Sequence, residues 1–332
     1  MTPRKLTFFY RKRNKGISIQ RLFADIRRAI GPDYDQAECY CPYAKAANPV
    51  KILLNLLHAF PRRSEINHIT GDVHYLCLAL PRKRTLLTVH DVHFIDWDAR
   101  SRWRRALFKF LYMRIPAWKC RFIVFISKAS QEHFQQHVPL PAHKSHVIPD
   151  CVSEFFTYNA PRPLHGKARL LQIGSNHNKN LSRTIEALRG LDVHLRIIGK
   201  LSTQLQMQLS ASSLEYSSDH QISDEQLLRE YQEADIVLFP SLTEGFGMPI
   251  IEAQSVGRPV LTSDRLPMRE VAAGAALLVD PEDVSSIRTG IEQLLNDEQL
   301  RTRLIEAGLE NARQYQPTQV AAAYESLYRQ IP

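Results

Sequence analysis

Cysteine is scarce in this chain of 332 residues, with only Cys39, Cys41, Cys77, Cys120 and Cys151 present. Their odd number, irregular spacing and lack of any CxxC unit exclude a disulfide framework or a zinc ribbon, and free thiols are the expectation. Cys39-Tyr40-Cys41 is the nearest approach to a metal pair, and a single pair does not complete a site. Long apolar runs are also missing. The most apolar segment, 50-VKILLNLLHAF-60, is too short to span a bilayer. The first residues, MTPRKLTFFYRKRNKG, are basic but lack the apolar stretch and small-residue cleavage site of a leader, so a cytoplasmic protein is expected. No internal repeat or low-complexity tract interrupts the chain.

What is present is an ordinary globular composition, 44% hydrophobic and 23% charged, at a length that favours two domains over one. The net charge of +9 is unevenly placed. Residues 1–150 hold 26 Lys and Arg against 11 Asp and Glu, a balance of +15, and the remainder holds 17 against 23, a balance of −6. Two domains with different partners are implied by that asymmetry: the basic half suits nucleic acid, an anionic membrane surface or a phosphorylated ligand.

Apolar runs that suit buried strands (6-LTFFY-10, 66-INHIT-70, 85-TLLTVH-90, 122-FIVFIS-127) alternate with helical patterns through the first half. Its clearest helix runs through Ile19, Leu22, Phe23, Ile26 and Ile30, with Ser18 as cap and Gly31-Pro32 as stop. The second half repeats this grammar with strands at 169-RLLQIG-174, 193-VHLRIIG-199, 235-DIVLFP-240, 259-PVLT-262 and 275-AALLVD-280. Such alternation predicts parallel sheets covered on both faces. The Pro- and Gly-interrupted stretch 155-FFTYNAPRPLHGKA-168 reads as the linker, and 317-PTQVAAAYESLYRQIP-332 as a closing helix. The expected division is 1–158, 166–316, and 317–332 as a helix that returns to the first domain. Ligands of doubly wound sheets bind at the carboxyl ends of the strands, so the residues just after each strand hold the functional candidates.

One such loop is 240-PSLTEGFGMPIIEAQSVGRPVLTSD-264, in which Glu244 and Glu252 stand eight residues apart across a glycine-rich bend. Gly245 and Gly247 permit an unusual backbone path, and Pro249 suits the first turn of the helix carrying Ile250, Ile251 and Glu252. Amides at that helix start would bind an anion such as phosphate, whereas the carboxylates would accept hydrogen bonds from the hydroxyls of a sugar or ribose.

EGFGMPIIE resembles the E-x7-E element of the retaining nucleotide-sugar glycosyltransferases of the GT-B fold, family 4, and the resemblance extends along nearly the whole chain. It includes 16-GISIQRLFADI-26, 67-NHITGDVHYL-76, 86-LLTVHD-91, 124-VFISKAS-130, 147-VIPD-150, 171-LQIGSNHNKNL-181 and 222-ISDEQL-227. It implies an α/β GT-B architecture: two Rossmann-like, doubly wound parallel-sheet domains facing a cleft. By the same resemblance Glu252 binds the donor ribose and Glu244 the hydroxyls of the transferred sugar. Backbone groups at Gly245, Phe246, Gly247 and Met248 would line sugar and diphosphate, Lys179 would neutralise the diphosphate, and the segment at Ile222 would meet the base. His90 would contact the donor sugar, and Gly16 would lie in a loop closing on the diphosphate. The arginine that the family often places shortly before the lysine is absent from Gly174-Ser175-Asn176-His177-Asn178, leaving His177 or a basic residue elsewhere to substitute.

Each of these residues also has a plainer reading: Glu252 and Lys179 as surface charges, His90 as a structural histidine bonded to Asp91, Gly16 as a turn glycine. Asp96-Trp97-Asp98, near His90, Asp91 and His93, is a literal DxD, the metal-binding triplet of GT-A enzymes. It runs straight into 100-RSRWRR-105, and no metal or other cofactor is expected, helix dipole and basic side chains serving instead.

The implied reaction transfers a hexose from a nucleoside diphosphate sugar, with retention, by front-face attack or, as the alternative, by double displacement through Glu244. In 100-RSRWRRALFKFLYMRIPAWKCR-121 basic residues alternate with Trp103, Leu107, Phe110, Leu111 and Trp118, a pattern that suits a helix on an anionic membrane or one whose stripe faces the core. The expected partners are a nucleotide-sugar donor, a glycan or lipid-linked acceptor of cell-surface polysaccharide synthesis, and peripheral contact with the membrane. Nucleic acid is not expected, because the aromatic and basic motifs of common RNA folds are absent. A GT-B-like nucleotide-sugar epimerase or hydrolase is the rival reading.

Overall fold

A computed structural model of the chain describes residues 2–13, 17–43, 48–90, 106–107, 109–164 and 166–332. Gly16, the Asp96-Trp97-Asp98 triplet, Asp91, His93 and the arginines at 102, 104 and 105 lie outside them. The chain divides into one unit formed by residues 1–151 with 317–332 and a second formed by 152–316.

The first unit holds a six-stranded sheet of β1 (Arg4–Tyr10), β2 (Tyr34–Tyr40), β3 (Ile66–Ile69), β4 (Thr85–Val89), β5 (Phe122–Phe125) and β6 (Ser145–Val147). The strands lie in the order β2-β1-β3-β4-β5-β6, and every pairing is parallel. Alternation along β1 sends Leu6, Phe8 and Tyr10 to one face and Phe9 to the other, so each face gains its own core. Helix α1 (Ile17–Ala29) covers the first face with Phe23 and Ile26, and α2 (Pro49–Ala59) lies against the second through Ile52, Leu56 and Ala59. Where 100–121 is described, its apolar residues divide: Leu111, Tyr112 and Met113 join that second core, while Leu107, Phe110 and Trp118 are exposed.

The second unit holds β7 (Ala168–Ile173), β8 (Val193–Ile198), β9 (Glu215–Asp219), β10 (Ile236–Phe239), β11 (Val260–Ser263) and β12 (Leu277–Val279) in the order β12-β11-β10-β7-β8-β9, again all parallel. This is the Rossmann strand order. The order reverses between β7 and β10, which pair through Ile236–Leu170, Val237–Leu171 and Leu238–Gln172. Helices follow the carboxyl ends of its strands, among them α3 (Leu181–Ala187) after β7, α4 (Asp224–Glu233) after β9, and α5 (Met248–Val256) after β10.

The expected linker is not a free connector. The boundary falls at 151/152, and Arg258 fastens the polar stretch to the second unit, donating to Asn159 O and Oδ1 at 2.8 and 2.7 Å while also bonding Tyr231 O and Gln232 O. Its prolines and polar residues marked a loop correctly, but the buried guanidinium that satisfies its carbonyls lies about a hundred residues away in sequence. The last helix, α6 (Pro317–Arg329), belongs to the first unit. It buries Val320, Tyr324 and Tyr328 against Phe8, Phe23 and Ile26, and Tyr328 Oη meets His68 Nδ1 at 2.6 Å. Arg4 donates to the carbonyls of Tyr328 and Ile331, and Glu325 accepts from the Gly31 amide at 2.7 Å.

Candidate active site in the second unit

In an open parallel sheet, the loops leaving two neighbouring strands in opposite directions open a crevice at the point where the strand order reverses. In the second unit those loops are 174–180, after β7, and 240–247, after β10. They are tied together: the Leu242 amide donates to Asn178 O at 2.8 Å, and Asn178 Nδ2 donates to Thr243 O at 3.1 Å. Lys179 Nζ reaches Glu244 Oε1 at 2.7 Å, with both side chains mostly buried, and lies 4.8 Å from the centre of the Phe239 ring. Two residues 65 apart in sequence thus form one charged pair at the switch point.

Local backbone chemistry sets this geometry. Gly174 has φ +91, and a Cβ there would stand 2.7 Å from Lys179 Cγ, so glycine both permits the turn and leaves room for the lysine stem. Asn180, in the left-handed region at φ 59, donates to Pro240 O and Pro281 O, which pins the end of the lysine turn to the β10 loop. Gly247, at φ +125, stands immediately before α5, a conformation that L side chains rarely adopt. Pro249 comes next in the first turn, where its missing N–H costs nothing.

Helix α5 is buried almost all round, through Ile250, Ile251, Ala253, Gln254, Ser255 and Val256. Phe246 packs edge-on against Tyr315, with ring centres 5.8 Å apart. Against this apolar background Glu252 is partly buried, and its Oε2 accepts a hydrogen bond from Tyr231 Oη at 2.6 Å. Burial pushes its carboxyl up from 4.5 to about 7, with the Tyr231 hydroxyl and Lys179 pulling back and Asp224 adding to the rise. Asp224 begins α4, whose capping box of Ser223 and Gln226 fixes the segment that contains Ile222. The Gln172 Oε1 and Ser241 Oγ atoms, buried at the strand ends, make no hydrogen bond among the described residues.

The structure therefore brings together Lys179, Glu244, the 245–248 bend and Glu252 with the start of α4. His177 is exposed in the lysine turn. His90 belongs to the first unit, at the carboxyl end of β4, with Nε2 3.0 Å from Thr70 O and Nδ1 3.5 Å from Asp150 Oδ1. Burial disfavours its charged form, but the Asp150 carboxylate, Asp72 and the Thr70 carbonyl together outweigh burial and the net shift is upward. Sequence reasoning missed Tyr231 and Asn178 as partners of the two glutamates. Nothing in the local pattern of α4 distinguishes Tyr231 from an ordinary buried tyrosine; only the fold aims its hydroxyl at Glu252.

The fold and this site define the class: a GT-B, two-unit α/β protein with a charged pair at the switch point of its second sheet. Residues 162–311 match the family described as Glycosyl transferases group 1. The chain is similar to the O-antigen chain mannosyltransferase B of Escherichia coli, with 39% identity over 110 residues, 32% of this chain and 29% of that protein. It is also similar to the O-antigen chain mannosyltransferase RfbU of Salmonella typhimurium, with 26% identity over 227 residues, 65% of this chain and 62% of that protein. These matches span less than two thirds of the relatives' own lengths. Among solved structures, Anabaena Alr3699/HepE in complex with UDP and glucose shares the fold at a TM-score of 0.78 and 14% identity, covering 98% of this chain and 99% of the other.

Proposed function

We propose that this chain is a retaining glycosyltransferase that moves a hexose from a nucleoside diphosphate sugar to a glycan or lipid-linked glycan in cell-surface polysaccharide synthesis. The observation that carries the reading is the Lys179–Glu244 pair at the β7/β10 switch point, with Glu252 in the helix beyond it. Lys179 is the cation for the diphosphate, exchanging Glu244 for phosphate oxygens when the donor binds. Glu244, released, accepts from the sugar hydroxyls, and Glu252, already bonded to one hydroxyl in Tyr231, accepts from the ribose. The amides of Gly245, Phe246, Gly247 and Met248 line sugar and diphosphate, and the segment at Ile222 meets the base. His90 and Gly16 keep the roles that the resemblance implies.

A carboxylate held by Lys179 and Asn178 is suited to orienting hydroxyls rather than to attacking carbon, which favours front-face attack over double displacement through Glu244. In that course the leaving phosphate oxygen takes the acceptor proton. Lys179 and helix N-termini supply the positive charge, so the reaction needs no metal.

The acceptor class draws on the O-antigen relatives and on the basic first half of the chain. No helix among the described residues is long and apolar enough to cross a membrane, and peripheral contact with the cytoplasmic membrane completes the proposal. Thermal stabilisation of the purified chain by a panel of nucleotide sugars tests the donor. Radiolabelled transfer to a lipid-linked glycan tests the reaction. Donor turnover that proceeds equally without acceptor would replace the proposal by a hydrolase or epimerase.

A further inference from the structure

Helix α2 presents two apolar faces, and the fold uses one. Ile52, Leu56 and Ala59 pack into the first unit's core, and buried Asn55 donates to Tyr75 Oη at 2.7 Å and to Tyr43 O at 3.1 Å, which fixes the helix's rotation. Val50, Leu53, Leu54, Leu57 and Phe60 are consequently turned outward and are 63%, 55%, 38%, 61% and 50% exposed. Their spacing of three, four and seven residues, continued by Phe60, makes one helical stripe rather than scattered single residues.

Charge beside the stripe identifies its occupant. Residues 48–64 contain Lys51, Arg62 and Arg63 and no Asp or Glu, and all three cations are exposed. The Arg63 guanidinium lies 4.0 Å above the Phe60 ring, placing a cation at the edge of the apolar surface. Leucines and a phenylalanine bordered by these three cations, with the neighbouring Glu65 engaged by the Lys5 amide, match the acyl boundary and anionic headgroups of a bilayer. A second copy of this chain fits less well, because a two-fold contact would set the same predominantly basic rim against itself.

We propose that the outward face of α2 seats this chain on an anionic phospholipid bilayer, Val50, Leu53, Leu54, Leu57 and Phe60 entering the interface and Lys51, Arg62 and Arg63 meeting headgroup phosphates. The assignment rests on the lipid-linked-acceptor reading for its purpose, yet its test needs neither donor nor acceptor. The full chain is sedimented with phosphatidylcholine vesicles, with and without phosphatidylglycerol, across a salt series. Partitioning should favour the anionic vesicles and weaken with salt. Leu53→Asn with Leu57→Asn should lower partitioning at least about tenfold, equivalent to about 1.4 kcal/mol. Lys51→Glu, Arg62→Glu and Arg63→Glu together should abolish the preference for anionic lipid.

Both variants should keep the wild-type melting temperature and nucleotide-sugar binding, which separates loss of docking from misfolding. Leu54→Trp should add tryptophan emission that shifts to the blue on anionic vesicles alone. Equal binding to neutral and anionic vesicles, binding unchanged in both variants, or a stable dimer that the asparagine pair dissociates would overturn the assignment. Vesicle binding without response to any nucleotide sugar would instead sink the transferase reading and leave the docking surface standing.

Discussion

Glu252→Gln separates what the carboxylate does for a ligand from what its charge costs the fold. Burial raises Glu252 from 4.5 to about 7 in the folded chain. Because the folded-state pKa is the higher one, the stabilising contribution is fully present below about pH 4.5 and is lost as pH rises to about 7, with no further change above. At about 1.36 kcal/mol per pH unit, that interval bounds the loss at about 3 kcal/mol. Glutamine keeps an oxygen for the Tyr231 hydroxyl and carries no charge, so it escapes this loss.

Urea unfolding of both proteins should therefore show the glutamine variant more stable by about 1–3 kcal/mol at pH 8, with the difference shrinking below about 1 kcal/mol at pH 5. The same variant should bind the nucleotide sugar more weakly at pH 8 by about 1.5–3 kcal/mol, since a charged acceptor for ribose hydroxyls is gone. A variant less stable than wild type at pH 8, or a difference equal at both pH values, would refute the electrostatic reasoning. Unchanged donor affinity would refute the ribose role and leave the electrostatics intact.

The lysine turn and its neighbours set further outcomes. Lys179→Ala should weaken nucleoside diphosphates by about 1.5–3 kcal/mol and the free nucleoside far less, measured by calorimetry; equal losses would remove Lys179 from the phosphate site. Gly174→Ala imposes a side chain at φ +91 and crowds the Lys179 stem, so it should destabilise the second unit by about 1–3 kcal/mol in a melt and lower diphosphate affinity as well. On the proposed mechanism, in which Lys179 and helix N-termini supply the positive charge, transfer activity should survive EDTA; loss on chelation with rescue by Mn or Mg would restore a role for Asp96-Trp97-Asp98.

The sequence by itself determined the architecture wherever a strand is buried on both faces. The runs at 6–10, 66–70, 85–90, 122–127, 169–174, 193–199, 235–240 and 259–262 all overlap observed strands, because central parallel strands must be apolar throughout, and the run at 275–280 marks the edge strand β12, which is apolar as well. The strands it did not reveal, β2, β6 and β9, are all edge strands. One flank faces water there, so YDQAECY and EYSSD tolerate polar residues and no apolar run marks them.

The glycine-rich bend with Glu244 and Glu252 was likewise legible, since an unusual backbone path and a buried helix start leave local signatures in Gly247 and Pro249. Partners distant along the chain were not. The Lys179–Glu244 contact, the Tyr231 hydroxyl on Glu252 and the Arg258 clasp on Asn159 join residues that only strand order and helix packing bring together. The exposed stripe of α2 is the same kind of case. Its apolar residues are plain in the sequence, but a helix apolar on two sides does not announce which side the core will take; that was decided by the buried hydrogen bonds of Asn55 and the sheet beneath it.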